Sequence, residues 1–164
     1  MPPPVSPYRV LLIDDNDGDL RLFQEAITAA AAPITLVTCT QASAALDVLA
    51  IDLRFDLILS DLHMPHLSGV DLFKRLSSKR AFRDILMVLM GTSRQDALLT
   101  RITDDFSVPY FTKTDTWSGY VTLAHEVHVL LRNGRSTDAG RRFAARMTPS
   151  ARDGNVIDTG SQAI

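Results

Sequence analysis

The stretch that decides the fold reads FDLILSDLHMPHLSG and occupies residues 55–69. Its apolar run at 57–59 is too short for a helix, and Pro65 and Gly69 punctuate the loop that follows. We therefore predict a buried strand that ends near Asp61. Open α/β sheets bind ligands beyond the carboxyl ends of their strands, so Asp61 is the first candidate for chemistry. The plainer alternative is an aspartate that forms a turn.

The composition suits one folded domain and excludes several classes of protein. The chain has 164 residues, with 17 Lys plus Arg against 19 Asp plus Glu, so no overall basic field attracts nucleic acid. The opening sequence MPPP is no apolar signal region, and no run approaches the ~18 apolar residues of a membrane-spanning helix. We expect a cytoplasmic protein that binds neither nucleic acid nor membrane.

Apolar runs of strand length alternate with helical patterns along most of the chain. Fully apolar strands such as residues 85–90 are typical of a parallel sheet that is covered on both faces. Five alternations predict an α/β fold with a doubly wound, five-stranded parallel sheet and right-handed crossovers. The predicted strands lie at residues 8–13, 34–39, 57–61, 85–90 and 108–112.

The two ends of the chain have the composition of segments that pack poorly. Residues 1–7 are rich in proline and predict a disordered lead-in. The dipeptide Asn133-Gly134 is a helix-stop signal, so the domain is expected to occupy residues 8–133. Residues 134–164 hold few large apolar side chains and more basic than acidic ones, which predicts a mostly disordered basic tail.

Charged side chains follow three of the predicted strands. Asp14 and Asp15 follow the first strand, Asp61 ends the third, and Lys113 follows the fifth, so all four are expected on one rim of the sheet. Crowded carboxylates repel one another, and Mg²⁺ is a hard cation that such oxygen ligands bind. A carboxylate nucleophile, a metal ion and a lysine together suit phosphoryl transfer. The sequence carries no P-loop or Gly-rich dinucleotide fingerprint.

Three further side chains are expected to have structural roles. Asp17 and Asp19 stand at the start of a helical pattern, where acidic groups cap the helix and complement its dipole. Cys39 is the only cysteine, forms no internal disulfide and is interpreted as a small core residue.

The histidines lack further soft ligands at zinc-site spacing, which argues against a zinc site.

Three motifs in this order resemble the receiver domain of two-component response regulators. They are LIDDN at 12–16, DLHMP at 61–65 with Gly69 after it, and YFTK at 110–113. The resemblance covers about residues 8–132 and is similar in detail to single-domain regulators that work with phytochrome-like sensor kinases. It implies a flavodoxin-like sheet with strand order 2-1-3-4-5, in which strands one and three are neighbours.

The resemblance also implies a role for each charged residue. Asp61 is expected to accept a phosphoryl group from a histidine kinase, with self-catalysed phosphorylation and dephosphorylation. The expected Mg²⁺ ligands are Asp15, Asp61 and the backbone carbonyl of His63. Asp14 would assist through water, and Lys113 would pair with the phosphoryl group.

The sequence departs from the family pattern at two positions. Gly91 stands where the family closes strand four with a threonine or serine, so Thr92 and Tyr110 become the expected switch residues, with a weak conformational response. Thr114 follows Lys113 where the family usually has proline, so the following turn is expected to differ.

We therefore expect a stand-alone response regulator of a phosphorelay, which acts as a signalling phosphoacceptor and not as an enzyme. Helix five carries more apolar side chains than one core-facing stripe needs, which predicts a homodimer or kinase contact through helices four and five. The alternative is a pseudo-receiver, a protein-binding module that phosphorylation does not control. A metabolite phosphohydrolase is disfavoured, because the Asp61 loop lacks the second aspartate of the usual Asp-x-Asp motif.

Overall fold

The computed structural model describes residues 7–93, 96–103 and 108–135. Strands and helices alternate along them as the sequence predicts. The strands are β1 (Tyr8–Ile13), β2 (Ile34–Cys39), β3 (Leu57–Asp61), β4 (Leu86–Gly91) and β5 (Tyr110–Thr112). The helices are α1 (Asp17–Ala29), α2 (Ala42–Ile51), α3 (Gly69–Ser77), α4 (Ala97–Thr103) and α5 (Trp117–Arg135), with a 3-10 turn at Arg80–Phe82.

The five strands form one parallel sheet in the order β2-β1-β3-β4-β5. This confirms the predicted doubly wound α/β fold and its strand order. The register pairs Ile13 of β1 with Ser60 of β3, so the next residues, Asp14 and Asp61, reach the rim of the sheet side by side.

Two apolar layers cover the sheet because successive side chains of each strand point to opposite faces. Leu11 and Ile58 lie in the layer formed with α2, α3 and α4, and Leu12 and Leu59 lie in the layer formed with α1 and α5. Cys39 belongs to the first layer at 8% exposure, and burial raises the pKa of its thiol, so its core role is confirmed. No helix within the described residues is long and apolar enough to cross a membrane.

Three predicted elements have other bounds in the structure. β4 spans Leu86–Gly91, one residue later than the predicted 85–90. β5 begins at Tyr110 and not at 108, because Pro109 has no N–H to donate to a neighbouring strand, although its carbonyl accepts from Leu89 N at 3.1 Å. α5 does not stop at Asn133-Gly134 but continues to Arg135. Glycine costs only ~1 kcal/mol inside a helix, which the packed turns before it can sustain. The predicted lead-in up to residue 6 and the tail from residue 136 lie outside the described residues.

The core covers most of the apolar surface of α5 and leaves part of it exposed. Most of its large apolar side chains pack against α1 and the sheet, and these are Tyr120, Leu123, Ala124, Val127 and Leu131. Trp117 and Val129 remain exposed, at 47% and 53%. Most of the apolar residues of α5 therefore pack in the core.

Candidate functional site

An acidic cluster lies at the carboxyl ends of β1 and β3. Asp14 and Asp15 follow Ile13, and Asp61 is the last residue of β3. One carboxylate oxygen of each lies within 4.8 Å of the others. Asp14 and Asp61 are buried at 1% and 7% exposure, whereas Asp15 is exposed. The site therefore has a buried floor and an open, acidic mouth.

Lys113 inserts its ammonium group into this cluster. Its backbone N–H donates to the Gly91 carbonyl at 2.8 Å, which fixes the chain just beyond β5. Its Nζ lies 2.6 Å from Asp14 Oδ2 and 3.2 Å from Asp61 Oδ2. Burial alone would lower the pKa of Lys113, but the hydrogen bond to Asp14 and the charges of Asp61 and Asp14 outweigh it and raise that pKa. The lysine is thus a fixed positive charge beside Asp61.

Asp14 has a different electrostatic environment. Burial raises the pKa of its carboxyl, and the hydrogen bonds from Lys113 and from the Asn16 backbone N–H, at 3.0 Å, offset only part of that rise. The Asp14 carboxylate therefore depends on its partners to stay charged. The four residues that the sequence placed on one rim are brought together here.

Asp19 is a contact of Lys113 that the sequence interpretation missed. It lies in the first turn of α1, as expected, but Asn16 caps the helix by accepting from the Gly18 N–H at 2.8 Å. Asp19 Oδ2 lies 3.1 Å from Lys113 Nζ, and its Oδ1 accepts from the Tyr120 hydroxyl at 2.9 Å. Burial raises the pKa of Tyr120, and the bond to Asp19 raises it further. The sequence did indicate that Asp19 faces inward. It precedes the buried Phe23 by four residues, so both side chains lie on the same face of α1.

The loop after β3 is held against the backbone of Asp61 by Gly69. The Gly69 N–H donates to the Leu62 carbonyl at 3.0 Å, and a Cβ at position 69 would overlap the Asp61 carbonyl oxygen. Ser68 caps α3 by accepting from the Asp71 N–H at 3.1 Å. A glycine is needed here because α3 begins in direct contact with the strand that carries Asp61.

His63 links the loop after β3 to the start of α4. Its exposed ring places Nε2 2.5 Å from Asp96 Oδ2, while Asp96 Oδ1 accepts from the Leu98 N–H at 2.8 Å. The hydrogen bond from His63 lowers the pKa of Asp96. The role of the His63 backbone carbonyl as a metal ligand stays a prediction.

Tyr110 lies inward beside Gly91. It is 8% exposed, and its hydroxyl donates to the Ser93 carbonyl at 2.9 Å. A Cβ at position 91 would lie 2.6 Å from that hydroxyl oxygen. The missing side chain of Gly91 therefore provides the space that the tyrosine occupies. Thr92, the other expected switch residue, is exposed at the end of β4.

Gly91→Ala should move the Tyr110 ring toward solvent, because the new Cβ and the phenolic oxygen cannot share that space. We expect a loss of about 1–3 kcal/mol in the free energy of unfolding, which is typical of overpacking. Nitration by tetranitromethane followed by peptide mass spectrometry should detect a newly reactive Tyr110. Gly134→Ala is the matched control, because nothing lies within 4 Å of a Cβ there. Unchanged nitration of Tyr110 in Gly91→Ala would contradict this account of the glycine.

Two threonines hold the turn that follows Lys113. Thr114 Oγ1 accepts from the Thr116 N–H at 3.2 Å, and Thr116 Oγ1 accepts from the Gly119 N–H at the same distance. Hydroxyl bonds thus order the start of α5, where the family pattern uses proline.

Comparison with known proteins identifies the family. The model of the response regulator receiver domain matches residues 10–114. The two-component response regulator ARR6 of Arabidopsis thaliana is 28% identical over an alignment of 114 residues, which covers 61% of this chain and 60% of ARR6. The regulator ORR3 of Oryza sativa subsp. indica is 26% identical over 104 residues, which make up 63% of this chain and 78% of ORR3. The chain thus spans about 60% of the length of ARR6.

Solved structures agree with this match. The phosphorylated cyanobacterial phytochrome response regulator RcpA superposes with a TM-score of 0.68 at 26% identity, over 80% of this chain and 96% of RcpA. The bacteriophytochrome response regulator AtBRR has the same fold, with a TM-score of 0.60 at 20% identity over 76% of this chain and 91% of AtBRR. The matched segment includes the acidic cluster and Lys113, and the chain belongs to the response regulator receiver domain family of two-component systems.

Proposed function

We propose that this chain is a response regulator receiver that accepts a phosphoryl group on Asp61 from the phosphohistidine of a sensor histidine kinase. The observation that carries the proposal is the Asp61 carboxylate itself, held 3.2 Å from the Lys113 ammonium at the open rim of the sheet. In the transfer, an Asp61 oxygen forms a bond to phosphorus as the bond from phosphorus to the histidine nitrogen breaks. The donor imidazole leaves with the electron pair of that bond.

The carboxylates of the acidic cluster fit a magnesium ion. Their ligand atoms are all oxygens within 4.8 Å of one another, and the exposed Asp15 leaves room for the water ligands that Mg²⁺ retains. Asp15, Asp61 and the His63 backbone carbonyl would hold the ion, and Asp14 would hold one of its waters. When bound, Mg²⁺ neutralises charge on the phosphoryl oxygens.

The side chains of the protein supply the remaining functions. Lys113 pairs with a phosphoryl oxygen and balances the charge that arrives with it. Asp14 orients the lysine through its 2.6 Å contact. Phosphorylation and later hydrolysis are therefore self-catalysed steps of a signalling protein and not turnover of a separate substrate.

Phosphorylation should require magnesium. Incubation of the protein with acetyl phosphate and Mg²⁺ should add the mass of one phosphoryl group as acetate leaves, and intact-mass spectrometry would measure it. The same mixture with excess EDTA should give little or no adduct, because the carboxylates and the phosphoryl oxygens then repel one another. An adduct of equal yield in EDTA would refute the magnesium site.

The second candidate is a pseudo-receiver, and one observation favours it. Tyr110 is already buried beside Gly91, so its inward position needs no hydroxyl at position 91. A pseudo-receiver would give no adduct with acetyl phosphate and Mg²⁺ although the protein is folded. The same mass measurement therefore separates the two candidates.

We infer the kinase partner and a second copy of the chain as partners from the receiver-domain family. The names of RcpA and AtBRR describe phytochrome response regulators, which supports a phytochrome-like kinase as the phosphoryl donor. A homodimer through α4 and α5 would use the exposed Trp117 and Val129 of α5. The signal would pass on by protein contact.

A further inference from the structure

Asp19 bridges the site and helix α5. Its two carboxylate oxygens have different partners, since Oδ2 lies 3.1 Å from Lys113 Nζ and Oδ1 accepts from the Tyr120 hydroxyl at 2.9 Å. Phe23 and Leu123 are among the apolar side chains that border this part-buried bridge. Hydrogen bonds that are partly shielded from water are stronger than fully exposed ones.

We propose that Asp19 is a positioning residue for Lys113 and that it transmits the phosphorylation of Asp61 to the start of α5 through Tyr120. This inference rests on the proposed phosphoacceptor function. It adds a pathway that uses neither Gly91 nor Tyr110.

The hydrogen-bonding capacity of Lys113 explains why phosphorylation would act on Asp19. An ammonium group has three N–H donors, and three carboxylates already lie within 3.2 Å of Nζ, from Asp14, Asp19 and Asp61. A phosphoryl group on Asp61 brings about −1.5 to −2 charges and draws the lysine toward its oxygens. The contact to Asp14 is the shorter at 2.6 Å, so the contact to Asp19 is the one expected to lengthen.

Tyr120 would carry this change into α5. Once Asp19 loses its cationic partner, its carboxylate is balanced mainly by the hydroxyl of Tyr120, and the pair is expected to shift together. Trp117 lies one turn before Tyr120 on the same face of the helix and is half exposed. Because Trp117 is the only tryptophan, the fluorescence of the protein reports on the start of α5.

The test compares two tyrosine variants that each lose one phenolic oxygen. Trp117 fluorescence is recorded with Mg²⁺ before and after acetyl phosphate, and intact mass gives the phosphorylated fraction of each sample. We expect a fluorescence change in the wild type that is lost in Tyr120→Phe at the same phosphorylated fraction. Tyr110→Phe should retain the change. Any other pattern among phosphorylated proteins overturns the inference.

A second pair of variants tests Asp19 itself. Asp19→Ala should lose the Trp117 response in the molecules that carry the adduct, as counted by intact mass. Asp17→Ala removes an exposed carboxylate from the same first turn of α1 and should retain the response. Urea unfolding of each variant checks that the fold is intact. A response of wild-type size in phosphorylated Asp19→Ala overturns the inference alone, whereas the absence of any adduct on the wild type refutes the phosphoacceptor function.

Discussion

Asp61→Asn is expected to abolish the phosphoryl adduct that acetyl phosphate and Mg²⁺ form on the protein. An amide has nearly the shape of a carboxylate but lacks its charge and its nucleophilic oxygen, so no bond to phosphorus forms. The change also removes one of three crowded carboxylates, which relieves repulsion with Asp14 while Lys113 keeps Asp14 and Asp19 as partners. We therefore expect a folded variant that is inert as an acceptor.

Asp47→Asn is the matched control for this experiment. Asp47 is exposed on α2, away from the rim of the sheet, and the same chemical change there should leave the yield of adduct unaltered. Intact-mass spectrometry of both variants measures the yield, and urea unfolding confirms that both are folded. An adduct that persists in Asp61→Asn would assign the acceptor to another residue.

Lys113→Ala is expected to cost about 3–5 kcal/mol of unfolding free energy when Mg²⁺ is absent, because removing one partner of a buried ion pair leaves its counter-charges uncompensated. Lys113 has a side chain that is 13% exposed, and the side chains of Asp14 and Asp61 beside it are 2% and 10% exposed. Chemical denaturation in EDTA measures this loss. A loss below about 1 kcal/mol, as for an exposed ion pair, would contradict the buried environment that we describe.

Magnesium and a second lysine provide the controls for Lys113→Ala. Lys74 is exposed on α3, and Lys74→Ala should change stability by no more than about 0.5 kcal/mol. At one fixed concentration, about a hundred times the Kd of the wild type, Mg²⁺ should stabilise the folded wild type by about 2.7 kcal/mol. The gain should be larger in Lys113→Ala than in the wild type, since the ion replaces the missing positive charge. An equal gain in both would mean that the ion and the ammonium do not share a site.

Local patterns in the sequence were enough to predict most of the fold. Apolar runs of strand length located β1 and β3 with their observed boundaries, because a strand that is covered on both faces has little choice of residue type. The β-branched residues of the edge strand β2 located that strand. Strand order came from the family resemblance and not from periodicity. The end of α5 was mispredicted, since Asn133-Gly134 is a weak stop once the preceding turns are packed.

The candidate site was predictable only in part. Asp14, Asp15, Asp61 and Lys113 follow strands, and parallel strands bring their carboxyl ends to one rim. Asp19 was missed because it lies on helix α1 and not at the end of a strand, and its partner Lys113 is 94 residues away in sequence.

The extent to which the core covers α5 was hidden for the same reason. The number of apolar residues in a helix does not specify how many neighbouring elements cover them. Here α1 and the sheet together bury Tyr120 and Leu131, while Trp117 and Val129 stay exposed. The inward position of Tyr110 was equally hidden, because it depends on the space that Gly91 leaves across the β4–β5 pair.

The most direct test of the central claim is to locate the phosphoryl group by chemistry specific to acyl phosphates. The wild type is treated with acetyl phosphate and Mg²⁺ and then with borohydride, which releases phosphate and reduces the modified carboxyl carbon to an alcohol. Peptide mass spectrometry then finds the aspartate that has become homoserine. We predict homoserine at position 61 alone. Homoserine at position 14, 15 or 19, or at no position in a protein whose mass has increased by one phosphoryl group, would contradict the assignment of Asp61.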